Sequence, residues 1–123
     1  MRPWPVIAPW LMMAAGWHVQ AQTYPAKPVR LLVPFPPGGG VDGVARIAFQ
    51  KLSESLNQQF IIDNRGGSAG VIAAQTAARA APDGYTLFFG TTATQAITPH
   101  YYKKLPYDPI KDFAPINLLA ISL

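Results

Sequence analysis

Short, dense apolar runs alternate along this chain with longer stretches in which apolar residues recur every three or four positions. Val29 to Val33 is nearly unbroken in hydrophobicity, the pattern of a strand covered on both faces of a parallel sheet. From Val41 to Leu56, the residues Val41, Val44, Ala45, Ala48, Leu52 and Leu56 fall on one helical face, while Arg46, Gln50, Lys51 and Glu54 occupy the rest. That spacing predicts an amphipathic helix lying on the sheet. Phe60 to Asp63 predicts a second strand, and an alanine-rich helix is expected from about Ala69 to Ala81, with Ser68 as its cap. Pro82-Asp83-Gly84 ends it with turn chemistry, and Tyr85 to Phe89 predicts a third strand. A short helix closed by Pro99 follows, with Thr92 and Gln95 at capping-box spacing. Leu105-Pro106-Tyr107-Asp108-Pro109 is an irregular turn, and Phe113 to Leu123 reads as another strand. The alternation predicts an α/β fold, a parallel-sheet domain with right-handed crossovers and helices on both faces.

In such a sheet the loops that follow the strands share one edge, the carboxyl-terminal one, where open α/β sheets bind ligands. Three loops fall there: Pro34-Phe35-Pro36-Pro37-Gly38-Gly39-Gly40, Asn64-Arg65-Gly66-Gly67-Ser68-Ala69-Gly70, and Gly90-Thr91-Thr92-Ala93-Thr94-Gln95. The prolines of the first cannot continue a strand ladder, and its glycines let another group approach bare backbone. A helix N-terminus after such a loop leaves N–H groups free and carries partial positive charge, so the edge is a candidate anion site. A tight connector with no ligand is the competing reading.

Composition narrows the setting. The 123 residues, half of them hydrophobic, suffice for one domain with a core. Met1-Arg2, the apolar stretch Val6 to Trp17 and Val19-Gln20-Ala21 have the order of a secretory signal peptide, with cleavage expected after Ala21. Residues 1–21 are then a leader and residues 22–123 the α/β domain. Ending in the apolar run Ile116 to Leu123, the chain reads as the N-terminal portion of a longer protein. Without the leader the balance is 9 basic to 6 acidic side chains, scattered apart from Lys103-Lys104. That is not the basic stripe of a nucleic-acid binder. Beyond the leader there is one histidine, His100, and the chain has no cysteine, which gives no support to a metal site. No cofactor is expected.

Two motifs compete with the anion-site reading. Gly38-Gly39-Gly40-Val41-Asp42-Gly43 matches G-x-G-x-x-G, with Asp63 twenty residues beyond, as in a dinucleotide fingerprint. The intervening Pro34, Pro36 and Pro37 and the exported setting argue against it. Gly66-Gly67-Ser68-Ala69-Gly70 matches G-x-S-x-G, which would make Ser68 the nucleophile of an exported α/β-hydrolase-type esterase. An elbow serine follows its strand directly, however, and here several residues intervene. Asp42 would repel an anion at the helix start unless it faces away or meets a cationic part of a ligand. Arg65, at the mouth of the second loop, could cover a strand end or reach a ligand.

Several segments together resemble the Bug-type receptors of tripartite tricarboxylate transporters. They are Tyr24-Pro25 with Lys27-Pro28, Val33-Pro34-Phe35-Pro36-Pro37-Gly38-Gly39 with Asp42 and Ala45-Arg46, and Asn64-Arg65 before glycines. The likeness continues through Ala81-Pro82-Asp83-Gly84-Tyr85-Thr86-Leu87, Gly90-Thr91, Leu105-Pro106-Tyr107-Asp108-Pro109 and Asp112-Phe113. The resemblance implies the N-terminal part of a two-domain clamshell of the periplasmic-binding-protein kind. Such a receptor is non-catalytic, works in the periplasm as a monomer, and carries a small organic carboxylate to membrane permease subunits. It also implies the ligand-binding positions Gly38, Gly39 and Gly40, then Ser68, Ala69 and Gly70, then Thr91, Thr92 and Thr94. Gly66 stands where the family usually has proline, which is expected to loosen the second loop. Family members are also more than twice this long, so this stretch is expected to lack a second domain and the chain that completes the first. A truncated fragment that binds nothing is the remaining alternative.

Overall fold

A computed structural model describes residues 23–121. The expected leader, residues 1–21, lies outside them. Three parallel strands form the sheet: β1 (Val29–Val33), β2 (Phe60–Asn64) and β3 (Thr86–Phe88), in the order β2-β1-β3. Leu31 of the central strand pairs with Ile62 on one side and Leu87 on the other. Bonds from Arg30 N–H to Tyr85 O and from Phe89 N–H to Leu32 O, both 2.9 Å, carry the β3 pairing to the limits expected from Tyr85 to Phe89.

Helices cover both faces. α1 (Gly40–Leu56) sets Ala45 and Phe49 against Leu31 and Val33, with Phe60, Ile62, Leu87 and Phe89 around them. The Phe49 and Phe60 rings meet edge to face at 5.4 Å. α2 (Val71–Ala78) packs on the other face, its Val71 and Ala74 joined by Tyr107, Phe88 and Phe113. Phe88 and its neighbours Leu87 and Phe89 enter opposite cores because successive strand residues point to opposite faces. β1 is buried on both sides, which explains its unbroken apolar run: Val29, Leu31, Leu32 and Val33 are at most 1% exposed. α1 stops where Asn57 turns left-handed (φ 47°) and its N–H returns to Ser53 O.

Three expectations need correction. Ser68 does not cap a helix beginning at Ala69. α2 begins at Val71, and Ser68 lies before it in a left-handed backbone (φ 49°) with no side-chain capping bond. Pro99 does not close the helix after β3 either. A wide helical turn, Ala93–Ile97, runs straight into α3 (Thr98–Tyr101), and Pro99 stands in its first turn, where the missing N–H is least needed. The third concerns Phe113 onward, where residues 113–121 form no strand. A β-prone run becomes a strand only against a partner backbone. Here Phe113 is drawn to Phe88 and Tyr107 at 5.3 and 5.9 Å, while Ile116, Leu118, Leu119 and Ile121 stay exposed. No helix among the described residues is long and apolar enough to cross a membrane.

Candidate functional site

With all strands parallel, the loops after β1, β2 and β3 emerge at one edge, beside the β1/β3 crevice where an order of 2-1-3 places its topological switch. Each loop is shaped by a different local device.

In the first, Gly38 takes φ 87°, a conformation side chains resist, and its N–H donates to Asp42 Oδ2 at 2.9 Å. Asp42 is 3% exposed and points inward. The same Oδ2 accepts from Arg46 Nε at 2.8 Å, while Oδ1 accepts from Asn64 Nδ2 at 2.9 Å. The Asn64 amide also donates to Phe35 O at 3.0 Å, so α1, the proline loop and the end of β2 are tied through one carboxylate. The hydrogen bond from Arg46, with those from the Gly38 N–H and Asn64, holds the Asp42 carboxyl well below the usual carboxylate range. Gly39 caps α1 without a side-chain bond, so no capping side chain takes up the N–H groups of the first turn.

A depressed folded-state pKa gives stability that is fully present above the unfolded value, about 4, and is lost as pH falls below it. Asp42→Asn is therefore expected to melt lower than wild type at pH 7 and to lose less further stability between about pH 4 and pH 2. Thermal unfolding across that range tests this. Parallel acid limbs for the two proteins would remove Asp42 as their cause.

The second loop carries the most unusual backbone. Gly67, Ser68, Ala69 and Gly70 all have positive φ, at 113°, 49°, 53° and 86°. For Ser68 and Ala69 this costs on the order of 1–3 kcal/mol each, and bonds from Gly70 N–H to Gly67 O at 2.9 Å and from Val71 N–H to Ser68 O close the turn. A Cβ on Gly70 would lie 2.5 Å from Thr94 Cγ2 and 2.9 Å from Pro34 Cβ, so the backbone here touches both other loops. A Cβ on Gly66 would come within 3.1 Å of the Pro36 ring, so this position lies close against the first loop. Arg65 covers the strand end: its N–H donates to Val33 O at 2.8 Å and its Nε to Asp63 Oδ2 at 3.0 Å. Burial pushes the Asp63 carboxyl up, but Arg30 and Arg65 outweigh that and hold it below its ordinary value.

In the third loop Thr91 and Thr94 bond to each other, in place of the capping box expected between Thr92 and Gln95. Thr91 N–H donates to Thr94 Oγ1 at 3.0 Å, and that hydroxyl donates back to Thr91 O at 3.1 Å. Thr94 is fully buried, whereas Thr92 is exposed. From outside the loop, the buried Tyr107 donates its phenol to Thr94 O at 2.5 Å.

The candidate positions therefore gather at one edge in two groups. Gly38, Gly39, Gly40, Ser68, Ala69 and Thr92 are exposed, while Gly70 and Thr94 are buried beneath them and Thr91 is half-buried. A Cβ on Gly40 would meet nothing within 4 Å, and one on Gly39 only Pro36 O at 3.8 Å, so packing does not demand glycine at either. The arrangement offers backbone donors, hydroxyls and the start of α1. Its nearest guanidiniums, Arg46 and Arg65, are each held by an aspartate.

The rival motifs lack their geometry. Ser68 is separated from the end of β2 by Arg65, Gly66 and Gly67, and His100 is exposed on α3. Asp63, the ribose-binding position of a dinucleotide fold, is occupied by Arg30 and Arg65. Tyr107 and Asn64 stand in the sequence among the segments that carry the resemblance, with no role assigned to either. The signal for Tyr107 was an aromatic set between two prolines, Pro106 and Pro109, in an irregular turn.

Comparison with known proteins bears on the same segments. The model of the tripartite tricarboxylate transporter family receptor matches residues 44–122. A UPF0065 protein of Bordetella pertussis is 44% identical over 109 residues, covering 87% of this chain and 33% of that protein. The solved structure of MatC from Rhodopseudomonas palustris with bound malate is 41% identical, with a TM-score of 0.75 over 78% of this chain and 33% of that one. R. palustris Rpa4515 with adipate is 43% identical, with a TM-score of 0.68 over 70% of this chain and 29% of that one. The chain thus spans about a third of the length of the curated relatives it matches. With a family model matching most of its length, this chain belongs to the tripartite tricarboxylate transporter receptor family.

Proposed function

We propose that the chain forms one wall of a periplasmic receptor that captures a small carboxylate-bearing solute and hands it to membrane permease subunits, without catalysis and as a monomer. The carrying observation is the convergence of three strand-end loops at Gly70, with exposed backbone beside the start of α1 and both nearby guanidiniums, Arg46 and Arg65, held by aspartates. Such an edge suits an anion held by oriented N–H groups and hydroxyls. Relatives found with malate and with adipate support the reading, since a carboxylate is common to both ligands. On this reading Gly39, Gly40, Ser68, Ala69 and Thr92 meet the ligand. Gly38, Gly70, Thr91 and Thr94 hold the loops in shape. The opposite wall belongs to sequence that the longer relatives have. The leader-like residues 1–21 would direct the chain to the periplasm.

A thermal-shift series with malate, adipate and adipamide tests the proposal on the full chain. A ligand at a hundred times its Kd stabilises by about 2.7 kcal/mol, so the diacids are expected to raise Tm while uncharged adipamide leaves it unchanged. Equal shifts with diacid and diamide, or none with any of the three, would reject carboxylate recognition.

A further inference from the structure

We infer that Tyr107 is a positioning residue for the binding edge, setting the third loop against the second through its hydroxyl without touching the ligand. The inference rests on the carboxylate-receptor reading above.

The need for this hydroxyl is written into the turn after β3. In the wide turn Ala93–Ile97 the Thr98 N–H reaches back five residues to Ala93 O, a bond reinforced by Thr98 Oγ1 at 2.6 Å. The next bond in that series would join residue 99 to Thr94 O, but residue 99 is proline and has no N–H. The Thr94 carbonyl belongs to a fully buried residue and so requires another donor. Tyr107 supplies it at 2.5 Å, from a ring 5% exposed. Burial first, and Tyr102 second, push the phenol further up, which keeps it protonated and donating.

The Tyr107 ring is itself fixed to the second loop's helix. It packs with Val71 and Ala74 of α2 and stands edge-on to Phe113 at 5.9 Å. α2 follows directly on Gly70, the residue whose backbone abuts Thr94 Cγ2. One side chain thus spans from the helix behind the second loop to the backbone of the third. Thr94 passes that constraint to Thr91 through the bonds of their shared turn. Without the hydroxyl, the Thr91–Thr94 turn would rest on Gly70 by packing alone.

Tyr107→Phe removes the donor and keeps the ring. Phe113→Leu serves as the control, because it loosens the same aromatic cluster and keeps the hydroxyl. Calorimetry with malate and adipate, well below either variant's Tm, is expected to show about tenfold weaker binding for Tyr107→Phe and wild-type affinity for Phe113→Leu. Wild-type affinity in Tyr107→Phe, or an equal loss in both variants, overturns the positioning role. Should wild type bind neither diacid, the receptor reading fails separately. Amide exchange in the ligand-free chain then decides this inference: acceleration in Tyr107→Phe confined to residues 91–98 upholds the coupling, and unchanged exchange there refutes it.

Discussion

Gly70→Ala is expected to lower folding stability by about 2–5 kcal/mol, the largest effect of any single methyl group added to this edge. Two costs combine. At φ 86° a Cβ meets the following carbonyl, a strain of roughly 1–2 kcal/mol for L residues. The new methyl would also stand 2.5 Å from Thr94 Cγ2 and 2.9 Å from Pro34 Cβ, and neither neighbour can retreat. Thr94 is pinned by its turn and Pro34 by its ring at the end of β1, so overpacking adds about 1–3 kcal/mol. Against a typical domain stability of about 5–15 kcal/mol this is a large fraction. Urea unfolding measures it directly, and a midpoint within error of wild type would mean that the three loops do not meet as described.

Gly39→Val is expected to do the reverse, sparing the fold and harming binding. Gly39 has φ −81° and ψ 170°, extended backbone that a β-branched residue adopts readily. Its Cβ would find only Pro36 O at 3.8 Å. Valine is a poor N-cap, so a loss of up to about 1 kcal/mol is expected in unfolding. A side chain projecting over the first turn of α1 would hold a carboxylate away from N–H groups whose charge-assisted bonds are worth about 1.5–3 kcal/mol each. Affinity for malate or adipate should then fall roughly ten- to a hundredfold. Unchanged affinity with unchanged stability would return the proline-glycine loop to a plain connector.

The two glycines show how far the pattern of residue types reaches. Both are visible in the sequence as members of glycine-rich loops after strands, and nothing local separates them. Gly70 is required by Pro34 and Thr94, which lie 36 and 24 positions away, while Gly39 is required by no neighbour at all. Ser68 is expected as a cap for the same reason: its type suits an N-cap, and nothing in its immediate neighbours announces the left-handed turn that displaces it. The framework was legible because its causes are short-range. The unbroken run Val29–Val33 marks the strand with partners on both sides, and the three-four spacing from Val41 gave α1 to within one residue. The two readings of Asp42 could not be separated without Asn64, which β2 brings to it from 22 positions away. Residues 113–121 mark the opposite limit, since local β character does not create a strand where no partner backbone is supplied.

The strand order also bears on when the edge takes shape during folding. Leu31 meets Ile62 across 31 positions of chain and Leu87 across 56, and closing the longer loop costs only about 0.5 kcal/mol more. Entropy therefore separates the two pairings weakly, but vectorial synthesis separates them clearly. β1, α1 and β2, with most of the core around Leu31 and Phe49, are complete by Asn64. The contact between Pro34, Gly70 and Thr94 cannot close until β3 has docked, and the Thr94 carbonyl has no donor until Tyr107 arrives. The nascent chain can thus hold a formed half-sheet before it has any organised binding edge.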